Sequence, residues 1–256
     1  MTEPVRSTRN PKVVGAGRLR RARDRRATGL TLLEGPILVA EAVAAGAIVH
    51  DVFALPDDAA AAAWAEAAGA RLVVVTRGVL DRLAPTETPR GPIATMTIPP
   101  AAASHDRDVL ELAVADPGNA GTLIRSAAAF GLDVVFSPGS VDLWSPKVLR
   151  AGAGGHFRVA IGEGLPTGVG RIATVVNAGD DVDAFDRILE PARRWAVMVG
   201  PEARGLAPDE VEAADVRVTV PMRGGVESLN AAVAGSIVAY ELARWRNRVG
   251  GPSVER

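Results

Sequence analysis

Polar side chains gather just before the last apolar stretch of the sequence, within residues 220–245 (VPMRGGVESLNAAVAGSIVAYELARW). Glu227, Ser228 and Asn230 follow a proline and a double glycine, and apolar residues then recur at the spacing of a helix. A helix start needs one such side chain as a cap, which Ser228 could supply. Because the cluster holds more polar groups than a cap requires, it indicates a ligand site or a catalytic site. A buried helix capped by Ser228 is the alternative.

Two further polar loops each follow a predicted strand. The loop at 116–121 (DPGNAG) comes after a strand at 109–115, and Asn119 could cap the helix that carries Arg125. The loop at 200–206 (GPEARGL) comes directly after another short apolar strand. Open α/β sheets bind ligands in the crevice beyond the carboxyl ends of their strands. The positions of these loops are therefore typical of a ligand-binding edge.

The composition excludes several kinds of chemistry. The 256 residues contain no cysteine, which rules out disulfides, thiolate metal ligands and a cysteine nucleophile. The three histidines, His50, His105 and His156, are scattered along the chain, and we expect no metal. DPGNAG lacks the GxGxxG spacing of a dinucleotide fingerprint. A Rossmann-type enzyme that acts on a small molecule stays open as an alternative.

The apolar residues are those of a core and not of a membrane span. Hydrophobic residues make up 48% of the chain, which is ample for a core. No apolar run approaches the roughly 18 residues that a span needs. The N-terminus is polar and basic, with no apolar segment behind it. We therefore expect a cytoplasmic protein without a signal peptide or a membrane partner.

Positive charge is concentrated at the N-terminus. Residues 1–30 hold nine arginines and lysines against two acidic residues, although the whole chain has a net charge of −1. Arginine suits phosphate binding because its planar fork pairs with two oxygens at once. We therefore predict that residues 1–27 are a basic arm that follows a phosphate backbone, with a solvated tail as the alternative. The aromatic content of 4% argues against a base-stacking platform.

Helix and strand signals alternate through the rest of the chain. In the first half, helices are predicted at 34–46, 56–69 and 78–83, and strands at 48–55, 71–75 and 91–98. This alternation predicts an α/β sandwich over residues 28–99, followed by a linker at 100–107. In the second half, strands are predicted at 109–115, 132–136, 172–176, 195–199 and 216–220, and helices at 145–150, after 208 and after 228. These elements predict a second α/β domain over residues 108–249.

Three segments, taken together, resemble the signature motifs of the SpoU (TrmH-type) family of SPOUT RNA 2′-O-ribose methyltransferases. They are DPGNAGTLIRSA, VMVGPEARGL and VTVPMRGGVESLNAAVAGSIVAYE, and they match in order and in spacing. LWSPKVLRAGAGGHF resembles a further segment of the family, which more often has serine where Gly152 stands. TLLEGPILVAEAV and the alternation after it are similar to the L30e-like substrate-binding domain of many members.

The resemblance implies a fold, a cofactor and a partner. The fold is an L30e-like α/β sandwich followed by a SPOUT α/β domain with a deep trefoil knot. The cofactor is S-adenosylmethionine, and the partner is a second copy in an obligate homodimer. By motif position, Gly200, Val220 and Leu229 contact the cofactor, mostly through the main chain. Asn177, at the end of a predicted strand, is a fourth candidate.

The implied reaction is attack of a ribose 2′-hydroxyl on a sulfonium methyl group, which needs no metal. By motif position, Arg125 lies at the target ribose and phosphate, Asn119 and Glu202 shape the site, and Ser228 and Asn230 close it. A guanidinium loses its proton only above about pH 12. We therefore expect Arg125 to act electrostatically, with a substrate phosphate as the proton acceptor. Purely structural hydrogen bonding by Glu202 and Asn230 is the alternative.

The substrate class follows from the first domain. Within the family, an L30e-like domain generally accompanies ribosomal RNA substrates, so the resemblance favours ribosomal RNA over tRNA. A tRNA 2′-O-methyltransferase and a non-catalytic L30e-like RNA-binding protein are the alternatives.

Overall fold

The computed structural model describes residues 3–86, 88–89, 91–102 and 106–250. His105 and the middle of the predicted linker lie outside these ranges. The strands are β1 (Leu30–Glu34), β2 (Val49–Ala54), β3 (Arg71–Val74), β4 (Ile93–Thr97), β5 (Val109–Leu112), β6 (Asp133–Phe136), β7 (Ile161–Glu163), β8 (Gly170–Thr174), β9 (Asp180–Asp181), β10 (Trp195–Val199) and β11 (Val216–Thr219). The α-helices are α1 (Pro11–Arg18), α2 (Ala22–Thr28), α3 (Pro36–Ala44), α4 (Ala59–Ala67), α5 (Arg77–Leu83), α6 (Pro117–Phe130), α7 (Pro146–Gly152), α8 (Phe185–Ile188), α9 (Pro208–Glu212) and α10 (Ala231–Val249).

The chain forms two compact units, and the α/β class predicted for both is confirmed. Unit 1 comprises Met1–Pro100 and Asp142–Phe157, and unit 2 comprises Ala101–Val141 and Arg158–Arg256. The sheet of unit 1 has the strand order β1-β4-β2-β3, in which β4 runs antiparallel to both β1 and β2. Strand β1 is missing from the sequence prediction. Its three central residues are all buried, so it lacks the alternation that marks a half-exposed strand.

The basic N-terminal segment is built into unit 1, which differs from the separate arm expected over residues 1–27. Val13, Ala16 and Leu19 are each 3% exposed and pack into a core cluster that includes Leu83. Val13, Ala16 and Leu19 recur at helical spacing. The sequence prediction missed this spacing because it considered only the charges of the segment. Arg25 is also 3% exposed, so this arginine is withdrawn from solvent. The other eight basic residues of the segment are exposed.

Residues 142–157 belong to unit 1, although the expected second domain over 108–249 included them. The Asp142 carboxylate pairs with the buried Arg25 guanidinium. The Thr31 hydroxyl donates to the main-chain oxygen of Trp144 at 2.6 Å. Leu149 on α7 is fully buried in the core beside α3 and α4. Unit 1 is therefore discontinuous in sequence. The sequence prediction could not anticipate this because it assumed that each domain is one continuous stretch of the chain.

Unit 2 is built on a parallel sheet of seven strands. The strand order is β7-β6-β5-β10-β8-β11-β9, and every pairing in it is parallel. All five residues of the central β10 are buried, as expected for a strand covered on both faces. Strands β8 and β10 pair directly, and β5 lies on the other side of β10. The carboxyl ends of β8, β10 and β11 therefore meet at one edge.

The long C-terminal helix packs closely against the sheet, as its small residues predict. A Cβ atom at Gly235 of α10 would lie 2.7 Å from side-chain carbons of both Leu123 and Val199, well inside contact distance. Glycine at this position therefore allows α10 to approach α6 and β10 together. The trefoil knot implied by the family resemblance stays a prediction. None of the helices in the described ranges is long and apolar enough to cross a membrane.

Candidate active site

A cleft opens in unit 2 at the carboxyl ends of β8, β10 and β11. Its volume is about 730 Å³, including the part that is open to solvent. Its walls come from the ends of these strands, from the loops after β10 and β11, and from the first turns of α10. The position agrees with the ligand crevice that open α/β sheets carry beyond their strand ends. Most of the lining side chains are apolar, including Val199, Val218, Met222 and Val238.

Three of the four predicted cofactor residues line this cleft. They are Gly200, Val220 and Leu229, and the predicted Ser228 lines it as well. Asn177 is exposed and is not part of the lining, which on that side is formed by residues 174–176. Strand β8 ends at Thr174, two residues before the predicted strand end. Position 177 therefore lies beyond the wall of the cleft.

Gly200 is required by the loop that it begins. A Cβ atom at this position would lie 2.3 Å from the Leu206 main-chain nitrogen and 2.4 Å from the Gly205 carbonyl carbon. Both neighbours are backbone atoms, so no side-chain rotation could relieve the clash. The sequence prediction placed Gly200 at the cofactor, and the structure shows that the return of loop 200–206 by itself requires glycine at this position.

A chain of hydrogen bonds joins one residue from each of the three polar loops predicted from the sequence: Glu202 after β10, Asn119 in the first turn of α6 and Asn230 at the start of α10. The Asn119 side-chain nitrogen donates to Glu202 Oε1 at 2.8 Å. The Asn230 side-chain nitrogen donates to Asn119 Oδ1 at 2.9 Å. Glu202 also accepts from the main-chain nitrogens of Ala115 at 3.2 Å and Asp116 at 3.1 Å. We call Glu202, Asn119 and Asn230 the three-loop relay.

The relay has only one consistent orientation of its amide groups. Asn230 Oδ1 accepts from the main-chain nitrogens of Ala232 at 2.9 Å and Val233 at 3.2 Å, so its amino group must face Asn119. Asn119 then turns its oxygen to Asn230 and its amino group to Glu202. An ionised carboxylate only accepts hydrogen bonds, so Glu202 is the acceptor at the end of this chain of hydrogen bonds. The three side chains therefore hold one another in a fixed geometry.

The protonation state of Glu202 follows from these bonds. Partial burial by itself would raise the pKa of the Glu202 carboxyl group. The hydrogen bonds from Asn119 and from main-chain N–H groups, including those of Ala115 and Asp116, outweigh burial and lower the pKa. Glu202 is therefore ionised at neutral pH, and donors already occupy its oxygens. Such a carboxylate positions its neighbours well and accepts protons poorly.

The helix caps differ from the predicted ones. Asp116 caps α6 by accepting from the Asn119 main-chain nitrogen at 2.8 Å, which leaves the Asn119 side chain free for the relay. Asn230 caps α10, so Ser228 is not the cap. Sequence reasoning missed Asp116, although Pro117 was a usable signal. Proline favours the first helical position, and the residue before it is then the cap.

Arg125 lies on α6 outside the relay. Its side chain is exposed and does not line the cleft, and it has no hydrogen bond or ion pair within the part of the chain that the structure describes. The next residue, Ser126, shares a hydrogen bond of 2.7 Å with Ser236 of α10. This contact fixes α6 against α10. The cation therefore projects from a rigid helix and is available to an anionic ligand.

An apolar stripe on α10 is left open to solvent. Val233 is 46% exposed and Tyr240 is 49% exposed, and the partly buried Ile237 lies between them at helical spacing. The Tyr240 ring meets Phe130 of α6 edge-on, with 5.5 Å between ring centroids. We call Val233, Ile237, Tyr240 and Phe130 the α10 stripe. Exposed apolar residues at this helical spacing are typical of a protein contact surface.

Comparisons with known proteins agree with both units. A model of the SpoU rRNA Methylase family matches residues 109–240, and a model of the MRM3-like substrate binding domain matches residues 10–94. The second match begins inside the segment that the sequence analysis assigned to a separate arm.

Relatives match over almost the whole chain. The chain is 32% identical over 245 residues to the 23S rRNA (guanosine(2553)-2′-O)-methyltransferase RlmP of Bacillus subtilis. The aligned residues make up 93% of this chain and 98% of that protein. It is 33% identical over 269 residues to an uncharacterized tRNA/rRNA methyltransferase of Synechocystis, which covers 94% and 93% of the two chains. A crystal structure of an RNA 2′-O ribose methyltransferase is 27% identical, with a TM-score of 0.78, and covers 96% of this chain and 100% of that one.

Proposed function

Because the chain belongs to the SpoU rRNA methylase family, we propose that it transfers a methyl group from S-adenosylmethionine to a ribose 2′-hydroxyl of ribosomal RNA. The observation that carries this proposal is the meeting of the three motif loops. Their polar residues form one hydrogen-bonded relay, and Glu202 of that relay also lines the cleft at the strand ends. This arrangement supports a catalytic protein over a non-catalytic RNA-binding protein, and the methyl-transfer assay below distinguishes the two.

The cleft in unit 2 suits S-adenosylmethionine. Its volume of about 730 Å³ lies within the range of small-molecule sites, and its apolar walls suit an adenosine. Main-chain groups around Gly200, Val220 and Leu229 are the proposed partners of the base and the sugar. When bound, the cofactor supplies a methyl group on a positively charged sulfur. No group of three or more potential metal ligands lies together within the described ranges.

The proposed reaction is a single displacement. The ribose O2′ forms a bond to the methyl carbon as the carbon–sulfur bond breaks, and the sulfur becomes a neutral thioether. The hydroxyl proton passes to a phosphate oxygen of the substrate. Arg125 binds the ribose and phosphate electrostatically, which lowers the pKa of the attacking hydroxyl. Asn119, Glu202 and Asn230 act as positioning residues, because their hydrogen-bonding groups are already engaged with one another. Ser228, which lines the cleft, closes the site.

We further propose that the active form is a homodimer through the α10 stripe. The stripe exposes large apolar side chains on a helix whose other face is fully packed. Arg125 does not line the cleft of its own subunit, so a second copy could place it at a shared site. Symmetric contacts of this kind are the commonest route to a dimer. The deep trefoil knot of the family is proposed for unit 2 on the same family grounds.

Ribosomal RNA is favoured over tRNA by the relatives and by the fold of unit 1. The B. subtilis relative is named as a 23S rRNA enzyme, and the first unit matches a substrate-binding domain over residues 10–94. Exposed arginines on α1 and α2 supply positive charge for phosphate contacts. Arg25 is excluded from that role by its burial.

The proposal is tested by methyl transfer from radiolabelled S-adenosylmethionine to undermodified ribosomal subunits, to naked 23S rRNA and to tRNA. Ribose-methylation mapping then locates the modified nucleotide, including the position that corresponds to guanosine 2553 of the relative's substrate. The matched control is Arg125→Ala, which should bind cofactor and transfer no methyl group. Label in tRNA alone would move the substrate class to tRNA. Cofactor binding without transfer to any RNA would refute the reaction.

A further inference from the structure

A second cleft lies in unit 1. Its volume is about 970 Å³, including the part open to solvent, which is within the range of ligand sites. It is formed by the end of β1, the first turn of α3, the side chains of Thr86 and Thr88, and Arg150 of α7. The reaction proposed above uses none of these residues.

Glu34 brings an incompletely satisfied carboxylate into this cleft. Its side chain is only 7% exposed. One carboxylate oxygen, Oε1, accepts a hydrogen bond from the Thr86 hydroxyl. Among the residues that the structure describes, the other oxygen, Oε2, is buried without a hydrogen-bond donor, and Arg150 Nη1 lies 3.9 Å away. A buried acceptor without a donor is costly, so a ligand N–H group at this oxygen would be favoured.

The other walls of the cleft offer hydrogen-bond donors and an apolar surface. The Arg150 side chain is 48% exposed, and its guanidinium only donates hydrogen bonds. Helix α3 begins at Pro36 after Gly35, which supplies no side-chain cap. Pro36 has no N–H group, so the Ile37 and Leu38 main-chain N–H groups are the donors of the first turn that have no partner within the helix. Ile37 in that turn is 65% exposed, although it is a large apolar residue. The cleft therefore combines one strong acceptor, several donors and a surface for a flat ring.

We propose that this cleft binds an unpaired guanine base of the RNA substrate. Guanine presents two adjacent donors, N1–H and the N2 amino group, with the O6 acceptor beside them. The two donors match the Glu34 carboxylate, and O6 matches the Arg150 guanidinium. Adenine, cytosine and uracil lack two adjacent donor groups on their Watson–Crick edges. Proteins read RNA sequence mainly at unpaired bases of this kind, so the site deepens the proposed function and rests on it.

The test compares two RNA probes that differ by one amino group. The full-length protein is titrated against a uridine oligonucleotide with one central guanosine, and against the same oligonucleotide with inosine, which lacks the N2 amino group. Wild-type protein should bind the guanosine probe about 10-fold or more tightly, because the missing bond is to a charged acceptor. Glu34→Gln should bind both probes equally. The matched control is Glu66→Gln, which removes an exposed carboxylate of the same unit.

A second variant keeps the test independent of any effect of Glu34 on folding. Arg150→Gln replaces a half-exposed side chain. It should weaken the affinity for both probes by the same factor, because guanosine and inosine share O6. An unchanged guanosine preference in Glu34→Gln would overturn the proposal, as would the absence of a preference in the wild type. Guanosine monophosphate that binds as tightly as the oligonucleotide would assign the cleft to a free nucleotide and overturn the RNA site. Methyl transfer to ribosomal RNA, measured in parallel, reports on the proposed function separately.

Discussion

Replacing Asn230 separates its two structural contributions. Its side-chain oxygen caps α10, and its amino group holds Asn119 in the three-loop relay. Asn230→Ala loses both contributions. Asn230→Ser keeps a good cap and is too short to reach Asn119. Asn230→Asp also keeps the cap, because aspartate is as good an N-cap as asparagine, but it turns an acceptor toward the Asn119 oxygen.

The expected magnitudes follow from the hydrogen bonds involved. Loss of the cap in Asn230→Ala should cost about 1 kcal/mol of unfolding free energy, which lowers the Tm by about 2–4 °C. The exposed bond to Asn119 stabilises the relay by about 0.5–1.5 kcal/mol, so Asn230→Ser should slow methyl transfer by about 2- to 12-fold. In Asn230→Asp two acceptors face each other, and a flipped Asn119 amide would instead face the Glu202 carboxylate. The decrease in rate should then exceed about 10-fold, with little change in Tm.

The assay is single-turnover methyl transfer to the RNA that the wild-type protein modifies, together with calorimetric unfolding and titration of the cofactor. Single-turnover conditions isolate the chemical step from product release. We expect all three variants to bind the cofactor within a few fold of the wild type, since Asn230 does not line the cleft. If Asn230→Asp and Asn230→Ser transfer methyl groups at the wild-type rate, Asn230 is a helix cap only, and the relay does not position the reaction.

Four further outcomes are expected. Arg125→Ala should abolish methyl transfer while calorimetric titration gives a cofactor affinity within a few fold of wild type; a joint loss would place Arg125 at the cofactor. Tyr240→Glu puts a charge in the α10 stripe and should give an inactive monomer by light scattering, and an active monomer would remove the shared site. Arg21→Gln with Arg26→Gln, both exposed, should weaken RNA binding and reduce its logarithmic salt slope by roughly 0.7–0.9 for each arginine–phosphate pair that is removed, with the methylated nucleotide unchanged. Desolvation lowers the pKa of the buried His156 from 6.5 to about 4, so the unfolded state takes up this proton first. The wild type should therefore lose on the order of 3 kcal/mol of stability relative to His156→Phe as pH falls from 6.5 to about 4, measured by denaturant unfolding, and pH-independent differences would contradict this.

The motif loops could be identified from the sequence because their chemistry and their boundaries are local. Pro117 and Gly131 mark the two ends of α6, and the buried run of β10 gives its length without reference to any neighbour. The order of the motifs and their polar residues also indicated the family. Local signals of this kind depend on residues a few positions apart, which are the distances over which propensity and periodicity act.

Only the tertiary structure decided which of these residues touch. The relay joins side chains that are 83 and 111 positions apart in the sequence, and the order of parallel strands brings their loops together. The same holds for unit 1, to which the chain returns at residues 142–157 after it has entered unit 2. A basic segment that looked like an arm from its charges packs into a core cluster of unit 1 through Val13, Ala16 and Leu19. Charge and composition are properties of the chain, whereas burial depends on which surfaces the fold brings together.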